Sequence, residues 1–310
     1  MTDTRSGDSA PVAQVPPGHS SRQGPGPAGA PPGTGTGTDT GIRPPARRTG
    51  AAGLDPVDLE QAAVFEATYS GRAAVPVAIV IAAYNEEESV GAVVAAAPKA
   101  LCGLGTEVIV VVDGSTDATA AAARQAGALV SDVPVNRGQG AALRLGYHLA
   151  RARGAAFIIT TDADGQYASG DLERVLAPLV ADEADFVSGS RRLGSTTSRD
   201  RARNTGVVVF AALISVLIRH RVTDPSCGLR AMKAGVSASV VLDQPQYQAS
   251  ELLIGVAMAG HRLKEVPIAM QARHAGTTKK GGNFLYGARF CSVVLGTWAR
   301  EFRSTKTKRS

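Results

Sequence analysis

Cysteine is scarce in this sequence, and long apolar runs are absent. Cys102, Cys227 and Cys291 are far apart and form no C-x-x-C pair, so neither a disulfide framework nor a zinc knuckle is indicated. We therefore expect a reduced, cytoplasmic setting. No stretch approaches the ~20 apolar residues that a membrane-spanning helix needs. The start, MTDTRSGDSA, lacks the apolar core of a signal peptide, so we do not expect export.

Excess positive charge is absent from the central part of the chain. The formal net charge is +6, of which residues 1–50 carry +2 and residues 300–310 carry +4, so residues 51–299 are neutral. A nucleic-acid-binding domain normally has a basic face on its folded part, so we expect no nucleic-acid partner. The sequence also lacks a G-x-S-x-G elbow and a G-x-x-x-x-G-K-[ST] loop, which argues against hydrolase and P-loop functions.

The composition predicts one folded domain behind a disordered arm. The chain has 310 residues and is 44% hydrophobic, which is enough for a sizeable core. About the first 50 residues are dominated by Gly, Pro, Ser and Thr, and such a segment buries too little apolar surface to offset its ordering entropy. We predict a disordered arm over residues 1–72, with an acidic stretch at 54–69 that is able to form a short helix. The folded domain, with its basic C-terminal tail, is predicted over residues 73–310.

From residue 75 onward, apolar runs alternate with helical patterns. Continuous apolar runs typical of strands buried on both faces occur at VPVAIVIAA (75–83), EVIVVVD (107–113) and AAFIITTDAD (155–164). Helices are predicted between them, the first from Glu86 to Ala97. This alternation predicts an α/β domain with a mostly parallel sheet flanked by helices. Ligands of such sheets bind beyond the carboxyl ends of the strands.

Acidic and polar residues follow each of these three strands, in AAYNEEE, VVDGSTD and TDADGQY. Asp162 and Asp164 are two residues apart, so on a strand both would project from the same face. Adjacent carboxylates repel each other unless a cation or proton lies between them, and Mg²⁺ or Mn²⁺ accepts such oxygen ligands together with substrate phosphates. Gln166 would add an amide oxygen. The alternative is a solvated Asp-Gly turn, and helix capping is the alternative for the polar residues after the other two strands.

The ordered segments AAYNEEESV, VVDGSTDAT, NRGQGAALRLG and TTDADGQY resemble the family 2 glycosyltransferases of the GT-A fold. The segments SGSRR, TDPSCGLRAM and ASELLIGVAMAGHRLKEVPI extend the resemblance over about residues 75–280, in particular to polyprenyl-phosphate (dolichyl-phosphate) mannose and glucose synthases. The resemblance implies a hexosyltransferase with a GT-A nucleotide-sugar-binding domain. It also implies inverting transfer of a sugar from a nucleotide-sugar, with Mg²⁺ or Mn²⁺ on the diphosphate.

The resemblance further implies roles for individual residues in binding the nucleotide, the metal and a phosphate. It places Tyr84, Glu86 and Asp113 near the base and ribose of the donor. It places the metal on Asp164, with Asp162 and Gln166 contributing, and it places Arg191 beside the donor or acceptor phosphate. Two positions depart from the family pattern, because Val112 replaces the first of two aspartates and Gln139 replaces a lysine.

Three later segments have two interpretations each. Glu251 is either a catalytic base that faces the acceptor, as in this family, or a first-turn acid favoured by the helix dipole. Arg273 and Lys279 lie in a glycine-rich segment that either contacts the donor diphosphate or a lipid phosphate or is a solvated basic loop. The apolar run within 201–221 is either a core helix or an interfacial helix with flanking arginines near anionic headgroups.

We therefore expect a metal-dependent inverting glycosyltransferase. Its expected acceptor is a polyprenyl phosphate, reached by peripheral contact with the inner face of the membrane. One alternative is transfer to a soluble or cell-envelope hydroxyl acceptor, such as a specialised metabolite or a polysaccharide, and this reaction would require Glu251. A second alternative is a non-catalytic nucleotide-sugar-binding scaffold.

Overall fold

The computed structural model describes residues 53–196, 201–271 and 284–307. Residues 1–52 of the predicted arm lie outside these ranges, and so do Arg273 and Lys279. The strands in the described ranges are β1 (Val77–Ala83), β2 (Ala100–Leu101), β3 (Leu104–Asp113), β4 (Leu129–Val133), β5 (Phe157–Asp162), β6 (Phe186–Thr196), β7 (Arg230–Lys233) and β8 (Leu263–Met270). The helices there are α1 (Pro56–Tyr69), α2 (Val90–Ala96), α3 (Thr119–Gln125), α4 (Gln139–Ala152), α5 (Ser169–Val180), α6 (Arg201–Ile218), α7 (Ala234–Ser239), α8 (Gln248–Met258) and α9 (Phe284–Thr307).

The eight strands form one sheet in the order β2-β3-β1-β5-β7-β6-β8, and β4 also pairs with β3. β1 pairs in parallel with β3 and β5, whereas β7 is antiparallel to both β5 and β6. β6 therefore runs in the same direction as β5. As a result, the carboxyl ends of β1, β3, β5 and β6 and the amino end of β7 meet at one edge of the sheet, called here the site edge. The predicted α/β fold with a mostly parallel sheet is confirmed.

Both faces of the sheet are covered, as the continuous apolar strands predicted. In β1, Val77, Ile79 and Ile81 pack into one apolar layer with residues of α2, α3 and α5. Ala78 and Val80 pack into the other layer, with residues of α1, α4, α6, α8 and α9. This period of two follows from the alternation of side chains along a strand.

Two predicted elements in the first half of the domain are present but begin at other residues. The helix expected from Glu86 begins only at Val90, because the preceding loop is bonded to a neighbouring loop. The backbone amide of Glu86, for example, donates to Oγ1 of Thr119 at 2.8 Å. The strand expected from residue 107 already begins at Leu104, where it forms a short antiparallel hairpin with β2.

The acidic stretch at 54–69 is part of the folded domain. Asp55 caps α1 in a capping box with Asp58, and Phe65 of α1 is buried in the core. The hydroxyl oxygen of Tyr69 accepts a hydrogen bond from the amide of Val130 in β4 at 3.0 Å. The prediction of a disordered arm up to residue 72 is therefore wrong for this stretch, whereas the short helix is confirmed.

Within the described ranges, no helix is both long enough and apolar enough to cross a membrane. α6 contributes to the core through the buried Ile214, and it also exposes Val209 and Val216, at 58% and 76%. Contact of this helix with a membrane stays a prediction. α9 packs against α6 and α8, and its Leu295 and Phe302 are also exposed.

Candidate active site at the carboxyl edge of the sheet

The loops that follow β1 and β3 are bonded to each other at the site edge. The amide of Asn85 donates to Oγ of Ser115 at 3.0 Å, and the amide of Thr116 donates to Oδ1 of Asn85 at 2.9 Å. Asp117 accepts from the amide of Glu87 at 3.3 Å and from the amide of Thr119 at 3.0 Å. These polar side chains therefore join two loops as well as starting a helix, so capping alone does not explain them.

Two of the predicted donor-binding residues lie on the first of these loops. Tyr84 is 38% exposed directly after β1, and Glu86 accepts a hydrogen bond from the hydroxyl of Ser89 at 3.0 Å. The structure thus places both at the site edge, as predicted. Their contact with a nucleotide stays a prediction.

Asp113, the third predicted donor-binding residue, is the last residue of β3 and is 3% exposed. Its Oδ2 accepts hydrogen bonds from the backbone amides of Arg137 at 2.9 Å and of Gly138 at 2.7 Å. Its Oδ1 is buried without a hydrogen bond and lies 3.9 Å from Nε of Arg137. Burial raises the pKa of the Asp113 carboxyl to about 6, although the two amides and the guanidinium of Arg137 act in the opposite direction. A buried acceptor of this kind costs stability until a donor satisfies it.

The aspartates predicted as metal ligands lie at and just beyond the end of β5. Asp162 is the last residue of the strand, and Asp164 lies in the following turn, where Gly165 has a φ of 71°. The prediction that both project from one face of a strand is therefore wrong, because the strand ends before Asp164. Instead the turn holds Asp164, whose Oδ1 accepts from the amide of Gln166 at 3.2 Å.

The chemistry of these side chains fits a hard divalent cation. Carboxylate and amide oxygens suit Mg²⁺ or Mn²⁺, and Asp164 is buried at 6% exposure. The side-chain nitrogen of Gln166 donates to the carbonyl of Gln271 at 3.0 Å, so its amide oxygen is the atom that would meet a cation. Among the described residues there is no group of three or more His, Cys, Asp or Glu side chains able to hold a metal. Substrate oxygens and water would therefore have to complete the coordination.

The loop before β7 closes against Asp162. A Cβ on Gly228 would lie 2.3 Å from Oδ2 of Asp162, so a larger residue would displace the carboxylate. The amide of Gly228 donates to the hydroxyl oxygen of Tyr167 at 3.1 Å. From the opposite side, the side-chain amide of Gln139 donates to Oδ1 of Asp162 at 3.4 Å. Gln139, one of the two departures from the family pattern, thus contacts a predicted metal ligand.

Arg191 lies on β6 and is paired with the same loop. Its Nε and Nη2 donate to the two oxygens of Asp224 at 2.6 Å and 2.7 Å, and Nη2 also donates to Oγ of Ser226 at 2.8 Å. Burial alone would raise the pKa of Asp224, but the Arg191 guanidinium holds it below its usual value. The structure therefore places Arg191 at the site edge in a bidentate ion pair, and its contact with a phosphate stays a prediction.

Glu251 is fully buried in the first turn of α8. Its carboxylate accepts hydrogen bonds from the amides of Asp243 at 3.1 Å and Gln244 at 3.0 Å, and it forms an ion pair with Arg300 of α9 at 3.0 Å. Burial raises the pKa of Glu251 despite these three donors. This arrangement favours the interpretation as a first-turn acid, now with a role in joining α8 to α9. A role as a base stays a prediction.

Sequence reasoning missed four residues that bond to the site or to its neighbours, namely Arg137, Arg144, Tyr167 and Asp224. The two arginines stand in the segment NRGQGAALRLG, which was recognised as a motif without a role for either of them. A positive charge on the apolar face of an amphipathic helix was the signal that could have identified Arg144, because a buried guanidinium requires acidic partners.

Known proteins resemble this chain in sequence and in fold. The family model for Glycosyl transferase family 2 matches residues 78–240. A dolichyl-phosphate hexose transferase of Haloferax volcanii is 35% identical over 202 residues, which are 65% of this chain and 85% of that protein. An undecaprenyl-phosphate mannosyltransferase of Micrococcus luteus is 27% identical over 221 residues, 66% of this chain and 88% of that protein.

Among solved structures, glucosyl-3-phosphoglycerate synthase of Mycobacterium tuberculosis, in complex with Mn²⁺, UDP and glucosyl-3-phosphoglycerate, has the same fold. It superimposes with a TM-score of 0.54 at 22% identity, covering 77% of this chain and 84% of that one.

Proposed function

The chain belongs to glycosyltransferase family 2 and has the GT-A fold, and we propose that it transfers a hexose from a nucleotide-sugar to a polyprenyl phosphate. The observation that carries this proposal is the convergence of Asp113, Asp162 and Asp164 with the loop before β7 at one edge of the sheet. Ligands of parallel sheets bind at this edge, and the acids there suit a nucleotide and a metal-bound diphosphate.

The donor would lie across the ends of β1, β3 and β5. Tyr84 is exposed directly after β1 and would contact the base, and the unsatisfied Oδ1 of Asp113 would accept an N–H or O–H group of the base or ribose. Glu86 would contact the ribose from the neighbouring loop. The diphosphate would then extend toward Asp162 and Asp164, which is the order of these residues along the sheet edge.

A divalent cation would be held by Asp162 and Asp164, with the amide oxygen of Gln166 as a further ligand. When bound, such a cation neutralises the charge that develops on the departing diphosphate. The Mycobacterium tuberculosis synthase, which shares the fold, was solved with Mn²⁺ and UDP, and this supports the use of a divalent metal. Gly228 contributes by leaving room for the Asp162 carboxylate.

The acceptor proposal rests on the relatives and on Glu251. The Haloferax and Micrococcus proteins are named for transfer to dolichyl phosphate and undecaprenyl phosphate. A phosphate acceptor is already ionised and needs no base, which agrees with a Glu251 carboxylate that is buried and bonded to three donors. Arg191, together with Arg273 and Lys279 outside the described residues, is proposed to contact phosphate oxygens.

Peripheral membrane contact would bring the domain to a lipid-borne acceptor. The exposed Val209 and Val216 of α6 and Leu295 and Phe302 of α9 are apolar side chains on two helices that pack together. Basic residues near the end of the chain would add attraction to anionic headgroups. Together these features support an interfacial location at the inner face of the membrane.

A single assay with purified protein tests the proposal. The full chain is incubated with Mg²⁺ or Mn²⁺ and a panel of UDP- and GDP-sugars, with and without polyprenyl phosphate, and released nucleotide and glycolipid are measured. We expect turnover that needs the lipid phosphate, stops with EDTA and gives the inverted anomer by NMR. Turnover that needs a hydroxyl acceptor instead would favour the first alternative. Nucleotide-sugar binding without turnover on either acceptor would favour a scaffold.

A further inference from the structure

Four buried charged side chains connect the start of α1 with the start of α4. Nη1 of Arg137 lies 2.9 Å from Oδ1 of Asp55 and 2.9 Å from Oδ1 of Asp58. Arg144 donates from Nη2 to Asp55 at 2.9 Å and from Nε to Asp58 at 2.7 Å. All four residues are less than 10% exposed, and their charges sum to zero. We call this group the Asp/Arg cluster.

The two acids of the cluster also begin α1. Oδ1 of Asp55 accepts from the amide of Asp58 at 2.9 Å, and Oδ2 of Asp58 accepts from the amide of Asp55 at 3.4 Å. The first turn of α1 and the two arginines therefore form one hydrogen-bonded unit. Neither acid lies within residues 78–240, which match the family model. This chain thus supplies the acidic half of the cluster from outside the matched region.

The cluster continues directly into the predicted nucleotide site. Arg137, held by the acids through Nη1, donates its backbone amide to Oδ2 of Asp113, and the adjacent Gly138 does the same. The turn that carries these amides is tightly confined, because a Cβ on Gly114 would lie 2.2 Å from the amide nitrogen of Asn136. A shift of Arg137 would therefore move the amides that orient Asp113.

Arg137 also has bonding capacity left next to Asp113. Its Nε and Nη2 are buried without a hydrogen-bond partner, as is Oδ1 of Asp113. A buried guanidinium with two unsatisfied nitrogens is costly. Apart from the 3.9 Å approach of its Nε to Oδ1 of Asp113, the guanidinium is held by the two acids that bond its Nη1.

A second, partly buried ion pair at the other end of α1 provides a comparison. Nε of Arg153 lies 2.8 Å from Oε1 of Glu107, and the same guanidinium donates to the carbonyls of Tyr69 and Ala73 near the end of α1. Glu107 and Asp113 lie on the same strand, six residues apart, or about 20 Å at the rise of a strand. This pair attaches α1 to the sheet without contacting the site edge.

We propose that Asp55 and Asp58 are positioning residues of the donor site, which hold Arg137 and through its backbone fix Asp113 for the nucleotide. α1 is then part of the nucleotide-binding machinery as well as part of the core. This inference rests on the proposed function, because it assigns the nucleotide to Asp113.

Binding measurements on three full-length variants test the inference. Asp55→Asn and Asp58→Asn remove the charges, and asparagine keeps the capping oxygen at position 55. Glu107→Gln breaks the comparison pair. Titration calorimetry with Mn²⁺ and UDP, GDP or inorganic pyrophosphate, together with thermal melting, gives affinity and stability for each protein. We expect Asp58→Asn to weaken nucleotide binding by about tenfold or more, the loss typical of one charged hydrogen bond. Mn²⁺–pyrophosphate binding should stay within about twofold.

The outcomes separate this inference from the function on which it rests. Glu107→Gln should lower the melting temperature and leave nucleotide affinity unchanged; an equal loss of affinity would mean that attachment of α1 in general, not the Asp/Arg cluster, sets binding. If Asp58→Asn does not fold, Asp55→Asn decides: its Asp58 still bonds both arginines and supports the fold, but Arg137 loses its ion pair with Asp55, so nucleotide binding should still weaken. If Asp55→Asn and Asp58→Asn both bind the nucleotide as tightly as the wild type, this inference is overturned but the proposed function is not. A wild-type protein that binds neither UDP nor GDP overturns the proposed function and this inference with it.

Discussion

Replacing Asp113 by asparagine removes a buried charge while keeping an oxygen that can accept hydrogen bonds from the amides of Arg137 and Gly138. In the wild-type protein, Asp113 is 3% exposed, and its Oδ1 is buried without a hydrogen bond. The substitution therefore isolates the cost of keeping a carboxylate at this position. Compared with the wild type, the variant should gain stability as the pH rises from acid to neutral, and it should bind the nucleotide more weakly.

The magnitude follows from the pKa. Burial raises the pKa of Asp113 from 3.8 to about 6, so the native state binds this proton more tightly than the unfolded chain does. The resulting contribution to stability is complete below pH 3.8 and is lost as the pH rises through about 6. A rise of about 2 in pKa corresponds to about 3 kcal/mol. Asparagine does not titrate, so the free energy of unfolding of the variant should gain about 2 to 3 kcal/mol on the wild type between about pH 4 and pH 7.5.

Urea unfolding at a series of pH values measures this gain. The single tryptophan, Trp298, is a suitable fluorescence probe because its ring nitrogen donates to the carbonyl of Leu217 at 3.1 Å, between α9 and α6. The quantity of interest is how the difference in unfolding free energy between variant and wild type changes with pH. An effect of the substitution that does not depend on pH therefore cancels. Wild-type and variant curves that stay parallel from pH 4 to pH 7.5 would refute the assignment of a raised pKa. Undiminished UDP or GDP binding by the variant would refute the role of Asp113 in the donor site.

Three further substitutions test the rest of the site. Asp164→Ala should abolish nucleotide release while the melting temperature stays close to that of the wild type; a large loss of stability would make this acid structural. Gly228→Ala should lower kcat at least about tenfold, because the new Cβ would lie 2.3 Å from the Asp162 carboxylate, which good catalytic geometry does not tolerate. Gly235→Ala is its control, since a Cβ there meets nothing within 4 Å, and kcat should not change. Glu251→Gln should lower the free energy of unfolding by about 1 to 3 kcal/mol, because it breaks a buried charged hydrogen bond, yet most turnover on polyprenyl phosphate should remain. Lost turnover with unchanged stability would support the role as a base.

The central strands could be predicted because their apolar runs are long and local. β1, β3 and β5 are buried on both faces, and a strand of this kind is recognisable from a continuous run alone. β7 has only the four residues RAMK, which is too short for any periodic pattern. Its antiparallel direction is set by pairing with β5 and β6, so the mixed character of the sheet was not accessible from the sequence.

The acids of the site could be predicted, whereas the groups that hold them could not. Asp113 and Asp162 each end a strand, and that position follows from local sequence. Arg137 and Arg144 pair with acids 79 to 89 positions earlier in the chain, and no local pattern encodes such a pairing. The geometry of Asp164 was predicted wrongly for a different reason, because the apolar run before it does not show that the strand already ends at Asp162 and that a turn follows.

The buried carboxylates differ in how fully they are bonded, and this difference supports the donor-binding role proposed for Asp113. Both oxygens of Asp224 are bonded to Arg191, and Glu251 has two amides and Arg300. Asp113, in contrast, keeps a buried oxygen with no hydrogen bond and a raised pKa. The contact of this oxygen with Nε of Arg137 at 3.9 Å is too long for a hydrogen bond, and an unsatisfied buried acceptor costs about 1 to 3 kcal/mol. A nucleotide that donates to this oxygen would recover the energy on binding, as we propose for Asp113, whereas the bonds of Asp224 and Glu251 are made within the fold.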